Sequence, residues 1–140
     1  MVTGLLHLHS LLRWVILILL VVSIIYSLSK NERAKSTGLW LMIASHVMLL
    51  IGIYQWFRDV FNYPDFKSVV GTPALRFFKM EHPVMMVIAV VLITLARRKA
   101  KELNYRSNTI LLGIALLIIL AMIPWPFRDA AIARPWFPGL

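Results

Sequence analysis

The sequence predicts an all-α integral membrane protein: an antiparallel four-helix bundle with both termini on the outer side. Three observations lead there. The 140 residues are 60% hydrophobic, against about 45–50% in an average soluble domain. The mean hydropathy is +0.78. The apolar residues fall into four long blocks, and the charges gather between them, which is the pattern of a membrane chain rather than of a large soluble core. A chain this short forms a single unit.

A helix needs about 20 residues, at about 1.5 Å each, to cross the hydrocarbon. The four spans are expected over roughly residues 4–28, 38–57, 74–97 and 108–123. Trp40 and Trp56 bracket the second span as interfacial anchors. The third has two readings. Thr72-Pro73 is a helix start, with an N-cap residue and proline at N1, and a helix from there would carry Pro83 inside it. Pro83 would then kink it and release the carbonyl of Lys79. The other reading starts the helix at Pro83 with His82 as its cap; the longer helix is favoured. The fourth span stops at Pro124-Trp125-Pro126.

Charge sets the expected orientation. Residues 29–37 carry Lys30, Arg33 and Lys35, and residues 97–107 carry Arg97, Arg98, Lys99, Lys101 and Arg106. Short basic loops stay in the cytoplasm. The loop 58–79 also holds basic residues, diluted by Asp59 and Asp65, and with the termini it is assigned outward. The expected location is a bacterial inner membrane, with the lipid bilayer as first partner. The net charge of +9 therefore reads as a topology signal, and nucleic acid is not an expected partner. No basic n-region and no small-residue cleavage site mark a removable signal, so the first span is expected to be retained. Phe61, Tyr63, Pro64 and Phe66 in the outer loop, with Phe127, Trp136 and Phe137 in the tail, suit either an interfacial cover over the helix ends or a partner contact.

The chemistry lies in the histidines. His9, His46 and His82 fall within apolar spans. Ionisable side chains are costly in lipid, so inside a span they point inward and mark a site. Histidine is also the commonest metal ligand. The chain has no cysteine, which excludes thiolate ligands, disulfides and covalent c-type haem attachment. No phosphate loop, nucleophile elbow or H-E-x-x-H motif occurs.

Helix depth selects a pair. His9 lies about 10 Å and His82 about 7–10 Å above the midplane, both entering from outside. That matched height suits two axial ligands of one b-type haem. His9, Leu12, Arg13 and Ile16 share one helical stripe. Arg13 there needs an anion, supplied either by haem propionates or by Glu81; snorkelling to the interface is the remaining option. Met85 and Met86, one turn beyond His82, are candidates for packing around the site or for thioether ligation. His46 enters from inside and lies near the midplane. Its expected roles are a ligand to a second centre, a quinone-site or proton-transfer residue, or a buried histidine bonded to a neighbouring carbonyl. His7, two residues from His9, points roughly 160° away and cannot share its ion. A zinc site of His9, His46 and His82 is disfavoured by depth and by the lack of a deeper carboxylate, and copper stays open. Tyr54 and Gln55 could bond a quinone head group or simply sit in the interfacial belt. Helices one to three are expected to build the site, with helix four closing the bundle against lipid.

The segments His7-Leu8-His9-Ser10-Leu11-Leu12-Arg13-Trp14, Gln55-Trp56-Phe57, Phe77-Phe78-Lys79-Met80-Glu81-His82 and Arg134-Pro135-Trp136-Phe137 together resemble short four-span bacterial membrane proteins labelled cytochrome b-like. The resemblance covers the whole chain. It implies b-type haem and electron transfer, with His9, His46 and His82 as candidate ligands. A more distant likeness is to the four-helix membrane protoporphyrinogen oxidases, which also carry a histidine early in helix one. This chain departs from them in its short cytoplasmic loops. The expected function is haem-based electron exchange with quinol or with a membrane or periplasmic redox partner. The rival expectation is a non-catalytic accessory subunit of a larger membrane complex, its histidines structural; an oxidase-like haem protein is the third.

Overall fold

The computed structural model describes residues 2–62 and 65–137; Tyr63 and Pro64 of the aromatic outer loop lie outside them. Every regular element among the described residues is helical. In chain order they are α1 (Val2–Leu28), α2 (Arg33–Val60), α3 (Phe66–Gly71), α4 (Pro73–Arg76), a π-helical turn (Phe77–Glu81), α5 (His82–Lys101) and α6 (Tyr105–Met122). The chain thus has four helices long and apolar enough to cross a membrane: Thr3–Leu28, Arg33–Val60, Pro73–Lys101 and Tyr105–Met122. The third is α4, the π turn and α5 run together.

One spacing organises the interior. Besides Ser10 and Leu17, the buried positions on α1 are Ile16, Leu20, Ser23 and Ser27, and those on α2 are Ala34, Gly38, Leu41 and Ser45. On α5 they are Ala89, Ile93, Ala96 and Ala100, and on α6 Asn108, Leu112, Ala115 and Ile119. Each set follows i, i+4, i+7, i+11, a narrow stripe on one helix face. Alanine, glycine and serine fill half or more of the stripes on α1, α2 and α5, and small residues let helices approach closely where no hydrophobic drive between them exists. The opposite faces stay apolar and open, as at Ile18, Leu50, Val84 and Leu117. Such faces require an apolar surround, which a bilayer provides.

α1 packs on α2 and α6, and α5 packs on the same two, so the long helices meet in a ring. Contacts identify its two ends. At one, His9 of α1 meets Gly52 of α2 and His82 of α5, and His82 meets the end of α6. At the other, Ser27 of α1 bonds Tyr105 and Thr109 of α6, and Arg97 of α5 lies against Gly38 of α2. A dry layer of Ile16, Leu20, Leu41, Ile93 and Leu112 belongs to the core between them.

Both basic loops close alike. Lys30 and Leu103 hold positive φ, 52° and 57°. Lys30 N–H donates to Ser27 O and Asn31 N–H to Tyr26 O; Leu103 N–H donates to Ala100 O and Asn104 N–H to Lys99 O. These are paired Schellman closures that satisfy the last carbonyls of α1 and α5. At the opposite end Asp65 caps α3 by accepting from Ser68 N–H at 3.0 Å, and hydrogen bonding from the Ser68 side chain and then its backbone holds the carboxyl below the usual range.

Candidate functional site

The site begins with the break in helical register ahead of His82. Pro83 has no N–H, so it leaves the carbonyl of Lys79 without its α-helical donor. Trp56 of α2 supplies one: its Nε1–H donates to Lys79 O at 2.9 Å. The chain accommodates the proline by widening one turn, and His82 N–H reaches back five residues to Phe77 O. A π turn shifts every later side chain around the axis, and such turns gather at functional sites. Here it delivers the His82 ring to the bundle interior. Phe77, 1% exposed, packs beside that ring with centroids 6.0 Å apart.

His82 and His9 face each other with ring centroids 6.5 Å apart and planes inclined at 54°. His82 Nδ1–H donates to Met122 O at 2.9 Å, with the proton assigned to Nδ1 because a carbonyl can only accept. Nε2 of His82 therefore carries the lone pair. Nδ1 of His9 is buried with no hydrogen-bond partner, and its Cε1 lies 3.6 Å from where a Cβ on Gly52 would stand. A glycine on α2 keeps this side of the ring uncrowded. α6, expected only to close the bundle, supplies the carbonyl that fixes His82; its backbone does what its side chains could not announce.

Arg13 lies one turn past His9. Its guanidinium donates to the backbone carbonyl of Trp136 and to Ser10 Oγ at 3.4 Å, while its Nε is buried without a partner. The expected alternative of an Arg13–Glu81 ion pair does not form. Glu81 is taken by Arg76 at 2.9 Å, because the π turn carries position 81 to the helix exterior. Asp59 is engaged by Arg58 and Lys79. Arg13 thus has carbonyl and hydroxyl contacts but no carboxylate among the described residues.

The tail folds over this end as a lid. Trp14 stacks on Trp136 at 6.0 Å and meets Trp125 at 6.4 Å and Phe137 at 6.0 Å. Arg134 lies over Phe78 and Arg128 over Phe77. Arg128 also ties back to the carbonyls of Ala121 and Ile123. Of the aromatics expected at the interface, Trp136 and Phe137 join this lid, whereas Phe61 and Phe66 of the outer loop are exposed; the arginines that pin the lid were not legible in the sequence.

The remaining candidates lie apart. His46 is exposed on the outer face of α2, its Nδ1 2.8 Å from Met42 O in its own helix. It does not join the other two rings, since its face is opposite the stripe through Leu41 and Ser45. Met86 packs against the apolar core. Tyr54 is exposed. Among the described residues no group of three His, Asp or Glu side chains stands ready for a metal ion. No family model, curated protein or solved structure matches this chain.

Proposed function

We propose that this protein is a cytochrome b-like electron-transfer protein of the bacterial inner membrane, holding one b-type haem between His9 and His82. The carrying observation is the imidazole pair, 6.5 Å between centroids. Two imidazoles that would share one metal at about 2.0–2.1 Å each, with the rings' own half-widths added, would stand up to roughly 6 Å apart. Two protein ligands are too few for a bare zinc ion, whereas a haem would supply the remaining donors itself and would be held by His9 and His82. This favours haem over a bare ion.

The protein's part is positional and electrostatic. Met122 O fixes His82 in the tautomer whose Nε2 is free to ligate and raises its basicity, as second-shell carbonyls do. Gly52 leaves the His9 ring its place. Arg13, with no carboxylate partner among the described residues, is the cation for a propionate, with its orphaned Nε as the additional donor. The Trp14, Trp125 and Trp136 lid limits water at the centre. Bound haem supplies a one-electron couple. With the basic loops in the cytoplasm, the centre lies toward the outer face, and the dry layer beneath it restricts exchange to a quinol or redox partner arriving from that side.

The test is a visible spectrum of the purified protein. The expected result is a Soret band that sharpens and shifts on dithionite reduction, with six-coordinate low-spin features lost in both His9→Ala and His82→Ala. A colourless, metal-free preparation would overturn the haem reading. Low-spin features that survive in either variant would overturn the ligand pair.

A further inference from the structure

The opposite end of the ring holds a second unsatisfied cation. Arg97 belongs to the last turns of α5, and its Cδ lies 3.7 Å from where a Cβ on Gly38 would stand. Its stem therefore runs across α2 at a glycine, in the flank between the two helices. Its Nη1 is buried and has no hydrogen-bond partner. The two residues that follow are different: Arg98 reaches Glu102 at 3.8 Å and Lys99 reaches it at 3.0 Å. The acid of this loop is thereby used, and Arg97 has no acidic partner among the described residues. Lys101, four residues on, lies one turn further out on the same face of α5.

Charge around this flank is one-sided. Residues 29–37 and 97–107 together hold Lys30, Arg33, Lys35, Arg97, Arg98, Lys99, Lys101 and Arg106 against Glu32 and Glu102 alone. A buried guanidinium nitrogen in that setting calls for an oxyanion. The level of the site identifies which kind. Trp40 lies two residues beyond Gly38 on α2 and is 61% exposed, the mark of the boundary between headgroups and hydrocarbon. Deeper on the Arg97 side of α5 stand half-buried Val90 and exposed Val87, and beyond Trp40 α2 exposes Ile43 and Val47, with His46 between them. The flank thus offers a cation at headgroup height and an oily surface below. A free anion would use only the first; a phospholipid uses both.

We propose that Arg97, supported by Lys101, binds the phosphate of an anionic phospholipid in the flank between α2 and α5, with the acyl chains laid along the apolar faces beneath. The site is independent of the haem reading and of the residues that would hold haem.

The experiment is native mass spectrometry of the full chain, delipidated in detergent and titrated with phosphatidylglycerol, phosphatidylcholine or inorganic phosphate. The wild-type protein is expected to retain phosphatidylglycerol in preference to phosphatidylcholine. Arg97→Gln is expected to weaken that binding about tenfold or more, the scale of a lost charge-assisted hydrogen bond. Arg98→Gln, whose charge already serves Glu102, is expected to leave it nearly unchanged. Arg97→Lys keeps the charge and is expected to retain the preference, which guards against loss of fold in the glutamine variant. Equal retention of phosphatidylcholine would overturn the proposal, as would unchanged binding in Arg97→Gln. An equal loss in Arg98→Gln would replace it with a diffuse basic surface. Displacement of the lipid by millimolar inorganic phosphate would assign the site to a free anion and overturn the lipid reading.

Discussion

The imidazole of His82 is tied to the backbone of Met122, Nδ1 to O at 2.9 Å across 40 residues of sequence. The bond joins the start of α5 to the end of α6, where a helix leaves carbonyls without intrahelical donors. His82 therefore has a structural role at one nitrogen and an open lone pair at the other. The two are separable. His82→Ala is expected to strand Met122 O and lower stability by about 1–3 kcal/mol. His82→Asn, whose amide N–H can stand near the position of Nδ1, should recover most of that loss and still lack the ligand. Thermal unfolding in detergent reads the first effect, and the visible spectrum of haem-loaded protein reads the second.

The proline at 83 and the tryptophan at 56 form another linked pair. Trp56 Nε1–H satisfies the Lys79 carbonyl that Pro83 leaves without a donor. Trp56→Phe keeps the ring and removes the donor, at an expected cost of about 1–3 kcal/mol. Pro83→Ala restores a backbone N–H that can serve the same carbonyl. The double variant Trp56→Phe/Pro83→Ala is then expected to be more stable than Trp56→Phe alone, a non-additivity that a double-mutant cycle measures directly. Strict additivity would show that Trp56 and Pro83 are not coupled through the Lys79 carbonyl.

Much of this end could be read from residue order. The height of a residue along a span follows from counting, so the sequence brings His9 and His82 to one level, and the rings do face each other. Pro83 likewise names the carbonyl it must free. What counting does not supply is azimuth and backbone partners. The π turn rotates position 81 outward and takes Glu81 from Arg13. The acceptor for His82 is a main-chain oxygen, which no side-chain pattern marks. His46 looked like a site residue because its neighbours are apolar, yet Leu41 and Ser45 define the buried stripe and His46 lies off it. The repeated i, i+4, i+7, i+11 spacing of small and branched residues was the missed signal that would have separated inner from outer faces.

Gly52 is expected to behave as a spacer for His9. A Cβ there would stand 3.6 Å from His9 Cε1, an ordinary contact, so Gly52→Ala should fold and keep the imidazole pair. Gly52→Leu pushes a branched chain into the ring and is expected to cost about 1–3 kcal/mol by overpacking. Its sharper consequence is displacement of His9 from His82. Haem-loaded Gly52→Leu should lose low-spin character while Gly52→Ala retains it; equal spectra would show that His9 is positioned by other contacts.

The two Schellman closures carry a left-handed cost that glycine would remove. Leu103, with φ 57°, is 44% exposed, so little burial is lost on truncation. Leu103→Gly is expected to raise stability by about 0.5–1 kcal/mol, the relief of a non-glycine αL residue less the chain entropy glycine adds. Lys30→Gly, at φ 52°, should act in the same direction, though it also removes one basic charge from its loop. An upward shift of the unfolding midpoint in each variant checks the expectation.

Asn108 distinguishes a useful buried polar bond from a tolerated one. Its Nδ2 donates to Ala96 O at 2.7 Å, joining α6 to α5 in a position 1% exposed, while its Oδ1 is buried without a partner. The donor half is worth about 0.6–1.7 kcal/mol by the measure of interhelical bonds in membranes. The acceptor half costs something back. Asn108→Leu removes both at similar volume and is expected to be close to neutral. Asn108→Ala removes both and opens a cavity, so it should be worse, by about 1–2 kcal/mol. Asn108→Asp keeps the stranded acceptor, loses the donor and sets a carboxylate against the Ala96 carbonyl; it should be the most damaging of the three. The order Leu, Ala, Asp in falling unfolding midpoint is the outcome that fits this account. A leucine variant as poor as the aspartate would mean that the Asn108–Ala96 bond, rather than packing, holds α5 and α6 together.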